Sequence, residues 1–397
     1  MVELDSKFMG VLFSLRDYIK REGYAGYDPY DGLNSPLFKL PILRSNKFIR
    51  FAFQQIFRRI PINLRGLLGI KKGINPVTLG LCIQAYTYLS MINEEEKEFY
   101  LNEIKSLLDI LVNLSSKGYS GFCWGYNFDW EARYTKIPAY TPTVVATGLI
   151  TNGLFVYYKA YSDKSVKEIL VSSAKFVLND LNRTYEGETF CFSYSPNDHQ
   201  KVYNATMKGA RLLAQVYEIT RDQYYLEEAE RTVKFVINNQ NNDGSWFYSK
   251  GDARKWVDNF HTAYVLDALD DFIKLSGRNQ YKIYLDKGLM YYLEKLFMPD
   301  GKPKYFSRRF YPVDATEVAQ SILTLTRFGY IDRAINVLNY ALESLYSGKG
   351  FFYYQKNRFF THKTSYMRWS NAYFFNAIAY FLFFVTREVK NNSRIQR

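Results

Sequence analysis

One pattern recurs along this chain and limits what it can fold into. Glycine-bearing loops crowded with aromatic residues return at SSKGYSGFCWGY (115–126), YEGETFCFSYS (185–195), NNDGSWFYS (241–249), MPDGKPKYFS (298–307) and SGKGFFYY (347–354). Roughly 50 to 60 residues separate most of them, room for two helices each time. After NNDGSWFYS come FHTAYVLDALDDFIKL and YKIYLDKGLMYYLEKLF, both with apolar residues spaced i, i+3, i+4, i+7. NATMKGARLLAQVYEIT with YYLEEAERTVKFVINN, and DATEVAQSILTLTRFG with IDRAINVLNYALESLY, repeat the arrangement. So do PVTLGLCIQAYTYLS with EKEFYLNEIKSLLDILVNL, and PTVVATGLITNGLFVYYKAY with SVKEILVSSAKFVLNDL.

The first helix of each pair is rich in Ala, Gly and apolar residues, which predicts an inner, buried position. The second carries Glu and Lys on one face, which predicts an outer one. A final helix after YMRWSNAYFF pairs with an N-terminal helix over about residues 4–21 to make six hairpins. Both terminal helices are apolar, whereas the cap of an open superhelix has a polar outer face. A closed (α/α)6 toroid is therefore expected: one all-α domain over 1–397. Small β-hairpins are expected at its mouth and an irregular segment, 22–75, packed on the ring.

Composition narrows the partners. The net charge of +13 is spread along the chain, densest over Lys39–Lys72 and in the C-terminal tail. No run of like charge and no nucleic-acid motif is present, so no nucleic-acid partner is expected. An anionic glycan or a membrane surface suits the diffuse positive field better. The three cysteines (Cys82, Cys123, Cys191) lack CxxC spacing, and the three histidines lack HxxxH or HExxH spacing. Neither a disulfide framework, nor a metal site, nor a cofactor is expected. The N-terminus has no signal-peptide pattern and AYFFNAIAYFLFFV is too short to span a bilayer, which predicts a cytoplasmic protein with a buried last helix. A position at the membrane periphery or beside a glycan synthase is compatible with the charge.

Several segments carry a resemblance: GYDPYDGLNSPL, INLRGLLGIKKGINPVTLGL, GFCWGYNFDWEAR with PAYTPTVVATG, FSYSPNDHQKVYNATMKGARLL, DGSWFYS with WVDNFHTAYVLDAL, DATEVAQSI and YMRWSNAYFF. Across nearly its whole length the chain resembles the six-hairpin (α/α)-toroid proteins of polysaccharide metabolism. Its likeness is strongest to a group found with exopolysaccharide and surface-glycan biosynthesis genes. More distantly it is similar to uronate C5-epimerases, polysaccharide lyases and unsaturated-glucuronyl hydrolases. The resemblance implies a carbohydrate-active protein with a polysaccharide or oligosaccharide substrate, and leaves the reaction open.

In a toroid the loops leading into the inner helices converge on one mouth, so residues at those helix starts are the candidates. WVDNFHTAY places Asp258 and His261 at a helix N-terminus, with Tyr264 one turn on; a neutral His there can act as a general base, or Asp258 can simply cap the helix. SPNDHQKVYN offers His199 and Asp198 in a loop and Asn204 at the next helix start. Asp314 and Glu317 have capping-box spacing, and Asp314 is also a candidate acid. Tyr366, Arg368 and Trp369 could clasp a carboxylate and stack on a sugar. Trp124, Asp129 and Trp130 form an aromatic loop, and Trp246 belongs to DGSW. Tyr27, Asp28 and Asp31 fold over the mouth or cap turns.

Three functions follow. The first is an enzyme on an acidic or neutral glycan, working by proton abstraction or by hydrolysis with paired carboxylates. The second is an isoprenoid cyclase or prenyltransferase-like toroid, with ALDDF (268–272) as its nearest acidic cluster, read as lying on an outer helix face. The third is a glycan-binding scaffold without catalysis.

Overall fold

A computed structural model describes the backbone of residues 2–395 and the side chains of residues 6–389. The helices in chain order are α1 (Val2–Arg21), α2 (Pro41–Ser45), α3 (Lys47–Arg59), α4 (Pro76–Ile92), α5 (Lys97–Asn113), α6 (Val144–Tyr161) and α7 (Lys164–Asn179). They continue as α8 (Tyr203–Thr220), α9 (Gln223–Ile237), α10 (Asn259–Ser276), α11 (Lys282–Lys295), α12 (Ala315–Arg327), α13 (Ile331–Ser344) and α14 (Tyr373–Ile395). Helices α4, α6, α8, α10, α12 and α14 form an inner ring in which each packs on the next and α14 returns to α4. Helices α5, α7, α9, α11 and α13 back their partners from outside, and α1 backs α14. This is a closed (α/α)6 toroid.

The inner helices are buried along most of their length, and polar residues such as Gln84, Arg211, Asp267 and Gln320 turn toward one another at the centre of the ring. Helix α4 is buried from Pro76 to Ser90. Asn75 starts it by accepting from the Val77 N–H, with Pro76 where its missing N–H costs nothing. Helix α6 begins the same way on Thr143, α10 on Asp258 and α12 on Asp314. Where α4 crosses α6 the two backbones nearly touch. A Cβ on Gly153 would stand 2.3 Å from the Gly80 carbonyl oxygen, so only glycine fits there. At the seam of the ring Asn376 of α14 donates to the Gln84 side chain of α4 at 3.2 Å.

Small antiparallel pairs decorate the mouth: 130–131 with 136–137, 183–186 with 189–192, and a three-stranded patch of 313–314, 355–356 and 361–362. The N-terminal segment differs from the expectation of irregularity. Ala25–Gly26 pairs with Gly73–Ile74, tying its two ends together, and the 13-residue α3 lies between. Arg50, Gln54 and Phe57 recur on one face of α3 and face the ring. Gln54 donates to the Tyr30 carbonyl at 2.7 Å and accepts from the Glu131 N–H at 3.1 Å, and Arg50 meets the Glu131 carboxylate at 2.7 Å. Among the described residues no helix is long and apolar enough to cross a membrane.

Candidate active site

The inner-helix N-termini open into one cavity of about 350 Å³. Val145 of α6, Asn204 of α8, His261 of α10, Thr316 of α12 and Arg368 of the π-helical turn Met367–Ala372 all line it. Aromatic rings make most of the wall. Its floor is Tyr264 and Tyr373, whose hydroxyls hydrogen-bond at 2.6 Å. Beneath them the Lys208 amine sits 3.3 Å from the centre of the Tyr264 ring, with no hydrogen-bond partner among the described residues. Burial, aided by nearby Arg211, holds that amine well below the usual lysine range.

The chemistry concentrates at the start of α10. One Asp258 oxygen accepts from the His261 backbone N–H at 2.9 Å, and the other is 2.7 Å from His261 Nδ1. A carboxylate only accepts, so it selects the Nδ1–H tautomer and leaves Nε2 as the basic nitrogen. The His261 side chain keeps about 25% of its surface open to the cavity, and Tyr248 fixes its plane edge-on at 4.7 Å. Capping and orienting the imidazole are thus both jobs of Asp258.

A second network braces another part of the wall. Arg368 makes a two-pronged contact with Asp28, 2.6 Å from Nε and 2.9 Å from Nη2, with both side chains buried. Its guanidinium lies 5.0 Å from the Tyr126 ring and 4.9 Å from the Trp369 ring. Trp369 donates to Asp314 at 2.9 Å. Asp314 also caps α12 and accepts from Gln355 at 2.6 Å. Burial lifts the Asp314 carboxyl to about 6 against these hydrogen bonds, and burial with Asp314 nearby pushes Glu317 well above the carboxylate range.

Arg58, from α3, is the cation that sequence reasoning missed. It lines the cavity, hydrogen-bonds the Tyr30 hydroxyl and lies 4.9 Å over that ring. Among the described residues it pairs with no carboxylate. Asn204 contributes a buried side-chain N–H donor that likewise has no partner. The only signal for Arg58 was the amphipathic spacing of 47–59, in a segment read as irregular.

The structure gathers Asp258, His261, Asn204, Tyr264, Trp130, Arg368 and Trp369 around the cavity, with Asp28 and Asp314 directly behind them. The other candidates stand elsewhere. His199 is exposed, and Asp198 caps its own turn by accepting from Tyr194, Ser195 and Gln200. Trp124 and Trp246 are core residues whose indoles donate to the Leu111 and Val236 carbonyls. Asp129 accepts from the Ala139 N–H at 2.8 Å within its own loop. Asp31 is held by Arg65 at 2.8 Å, Tyr366 is buried beneath that same guanidinium, and Tyr27 joins Tyr366 by a backbone bridge. The acidic ALDDF segment lies late in α10, away from the mouth. Asp270 is buried rather than on an outer face, and Arg327 binds both it and Asp271.

No family model and no curated protein matches this chain. Solved structures do. Cellobiose 2-epimerase from Bacillus thermoamylovorans B4167 superposes with a TM-score of 0.61 at 11% identity, covering 79% of this chain and 88% of its own. A glycoside hydrolase family 76 mannosidase from Bacteroides thetaiotaomicron VPI-5482 gives 0.59 at 13% identity, covering 84% and 92%. A possible member of family GH105 from Salmonella enterica serovar Paratyphi A gives 0.53 at 14%, covering 77% and 82%. At these identities the likeness is one of fold, and the fold they share with this chain is the six-hairpin toroid.

Proposed function

We propose that this chain is a carbohydrate-active enzyme that removes a proton from a sugar carbon next to a carbonyl or carboxylate group, as an epimerase or lyase does, on an anionic oligosaccharide. The observation that carries the reading is the Asp258–His261 pair. Among the described residues lining the cavity Asp258 is the one carboxylate, and both its oxygens serve His261. Hydrolysis by two carboxylates needs a free pair facing each other across the sugar. Asp28 and Asp314, the nearest alternatives, are occupied by Arg368, Trp369 and Gln355. What remains is an oriented imidazole with an open Nε2.

In this mechanism Nε2 takes the C–H proton and the electron pair moves onto the adjacent oxygen. Asn204 and Arg58, both without an internal acidic partner, are the donors available to that oxygen and to a substrate carboxylate. Burial, with the adjacent Tyr373, holds the Tyr264 phenol well above its usual range, so it remains an O–H donor. If the enolate turns over so that its other face meets the protonated Nε2, return of the proton there epimerises the carbon; if instead the substituent one carbon further on leaves with its bonding pair and takes a proton, the result is elimination.

The test is mass spectrometry of uronate-containing oligosaccharides incubated in heavy water. The wild type either fixes deuterium on carbon, as an epimerase, or releases an unsaturated product lighter by one water than the hydrolysis product, as a lyase, and His261→Ala does neither. Bond cleavage by the wild type without deuterium uptake, with ¹⁸O from labelled water in the product, would make it a hydrolase and overturn the proposal.

A further inference from the structure

The segment from Gly32 to Asn93 contains no Asp or Glu. It also carries the densest group of exposed large apolar side chains on the molecule. Ile42 is 78% exposed, Phe48 83%, Ile56 60%, Ile62 68% and Leu67 85%. Phe48 and Ile56 share the outward face of α3, whose inward face holds Arg50, Gln54 and Phe57 against the ring. Around them Lys39, Arg44, Lys47, Arg59 and Lys71 are exposed, and none pairs with a carboxylate among the described residues. A second prong lies close by. The 355–362 hairpin, whose base residue His362 lies beside the Ile60 backbone, carries Phe359 at 87% exposure between exposed Arg358 and Lys363.

Scattered exposed apolar residues are ordinary, but a cluster this large and this free of acid is not. We infer that this face docks on an anionic lipid bilayer. Three features favour a bilayer over a protein partner. The apolar side chains are spread over α2, α3 and the turns that follow, and none of them lines a cavity among the described residues. The rim has one sign of charge, which complements anionic headgroups. An amphipathic helix with large apolar residues outward and Lys and Arg beside them is the form that lies in a membrane interface. Because Arg58 projects from the other side of the same helix, docking here holds one wall of the cavity beside the headgroups.

The experiment is flotation of the full chain with vesicles of phosphatidylcholine alone and of phosphatidylcholine containing about one-third phosphatidylglycerol. The wild type floats with the anionic vesicles, less so at high salt, and stays down with the neutral ones. The Ile42→Ser/Phe48→Ser/Ile56→Ser variant loses about tenfold or more of this partitioning with an unchanged melting temperature. Should the triple variant melt early, Leu67→Ser, on an exposed turn, must still weaken flotation. Wild type that ignores anionic vesicles, or variants that float like it, would overturn the inference. So would self-association of the wild type that the triple variant abolishes without any vesicle binding, which would make the face a protein interface. Deuterium exchange on a soluble oligosaccharide is unaffected by these variants, so the docking surface and the reaction stand or fall separately.

Discussion

The substitution Asp28→Asn keeps the shape of the Arg368 partner and removes its charge. The guanidinium is then left with 5% of its side chain exposed and no counter-ion. Breaking a buried pair from one side costs about 3–5 kcal/mol. Two details place this case near the lower end. The amide still offers one acceptor to the guanidinium, and Arg368 borders the cavity, where water can reach it. Stacking between Tyr126 and Trp369 is unaffected. An expected loss of about 3 kcal/mol follows. Urea denaturation followed by circular dichroism measures it, with an unchanged dependence on denaturant showing that the unfolded state is the same. The partner variant Arg368→Met and the double variant complete the cycle. Removing both charges should recover about 2 kcal/mol relative to the sum of the single losses. A loss below about 1 kcal/mol with additive singles would mean that cavity water solvates Arg368 as well as Asp28 does, and would refute the buried-pair argument.

Three further predictions concern the cavity and its supports. Asp258→Asn should lower turnover by about 10²–10⁴ while costing only about 1 kcal/mol of stability, because an amide still caps α10 but no longer fixes the imidazole tautomer; deuterium exchange and thermal melting measure the two. Arg58→Gln should weaken binding of a uronate oligosaccharide at least tenfold and leave its neutral counterpart within about twofold, read by calorimetry; equal losses for both would remove Arg58 from anion recognition. Asp314 titrates at about 6 in the folded chain against 3.8 unfolded, so the folded state holds its proton more tightly. The associated stabilisation, about 3 kcal/mol, is complete below about pH 4 and lost as pH rises through about 6. Asp314→Asn should therefore become progressively less destabilising, relative to wild type, between about pH 4 and 7; a constant difference would contradict the shift.

The ring was legible because inner and outer helices differ in composition for a physical reason. Helix α4 is buried from Pro76 to Ser90 since α6, α14 and α5 enclose it, and that shows as PVTLGLCIQAYTYLS. The helix-start logic led to Asp258, His261, Asn204 and Arg368 because a toroid must bring those turns together. It left the aromatic loops open between a sugar platform and a plug of the ring. Trp124 and Trp246 bury their rings against neighbouring helices and give their N–H to carbonyls there, a choice that no local spacing reveals. Arg58 was illegible for another reason. Its place in the cavity depends on how α3 folds back over Tyr30, which is set by the contacts of Arg50 with Glu131 and of Arg65 with Asp31, far apart in sequence.

The pair Arg368–Asp28 joins residues 340 apart in sequence, and Asn376–Gln84 joins residues 292 apart. Both lie at the one place where the ring shuts. Helices α4 to α13 can stack on their neighbours as a growing arc, since each contact there is with the adjacent hairpin. The cavity cannot form on such an arc, for its wall needs Tyr30 and Arg58 from one end of the chain and Arg368, Trp369 and Tyr373 from the other. During synthesis the arc can be compact well before it can bind or react. The last step, setting α14 between α12 and α4, completes the cavity and closes the ring at once. Damage to that seam should yield a folded-looking but inert chain.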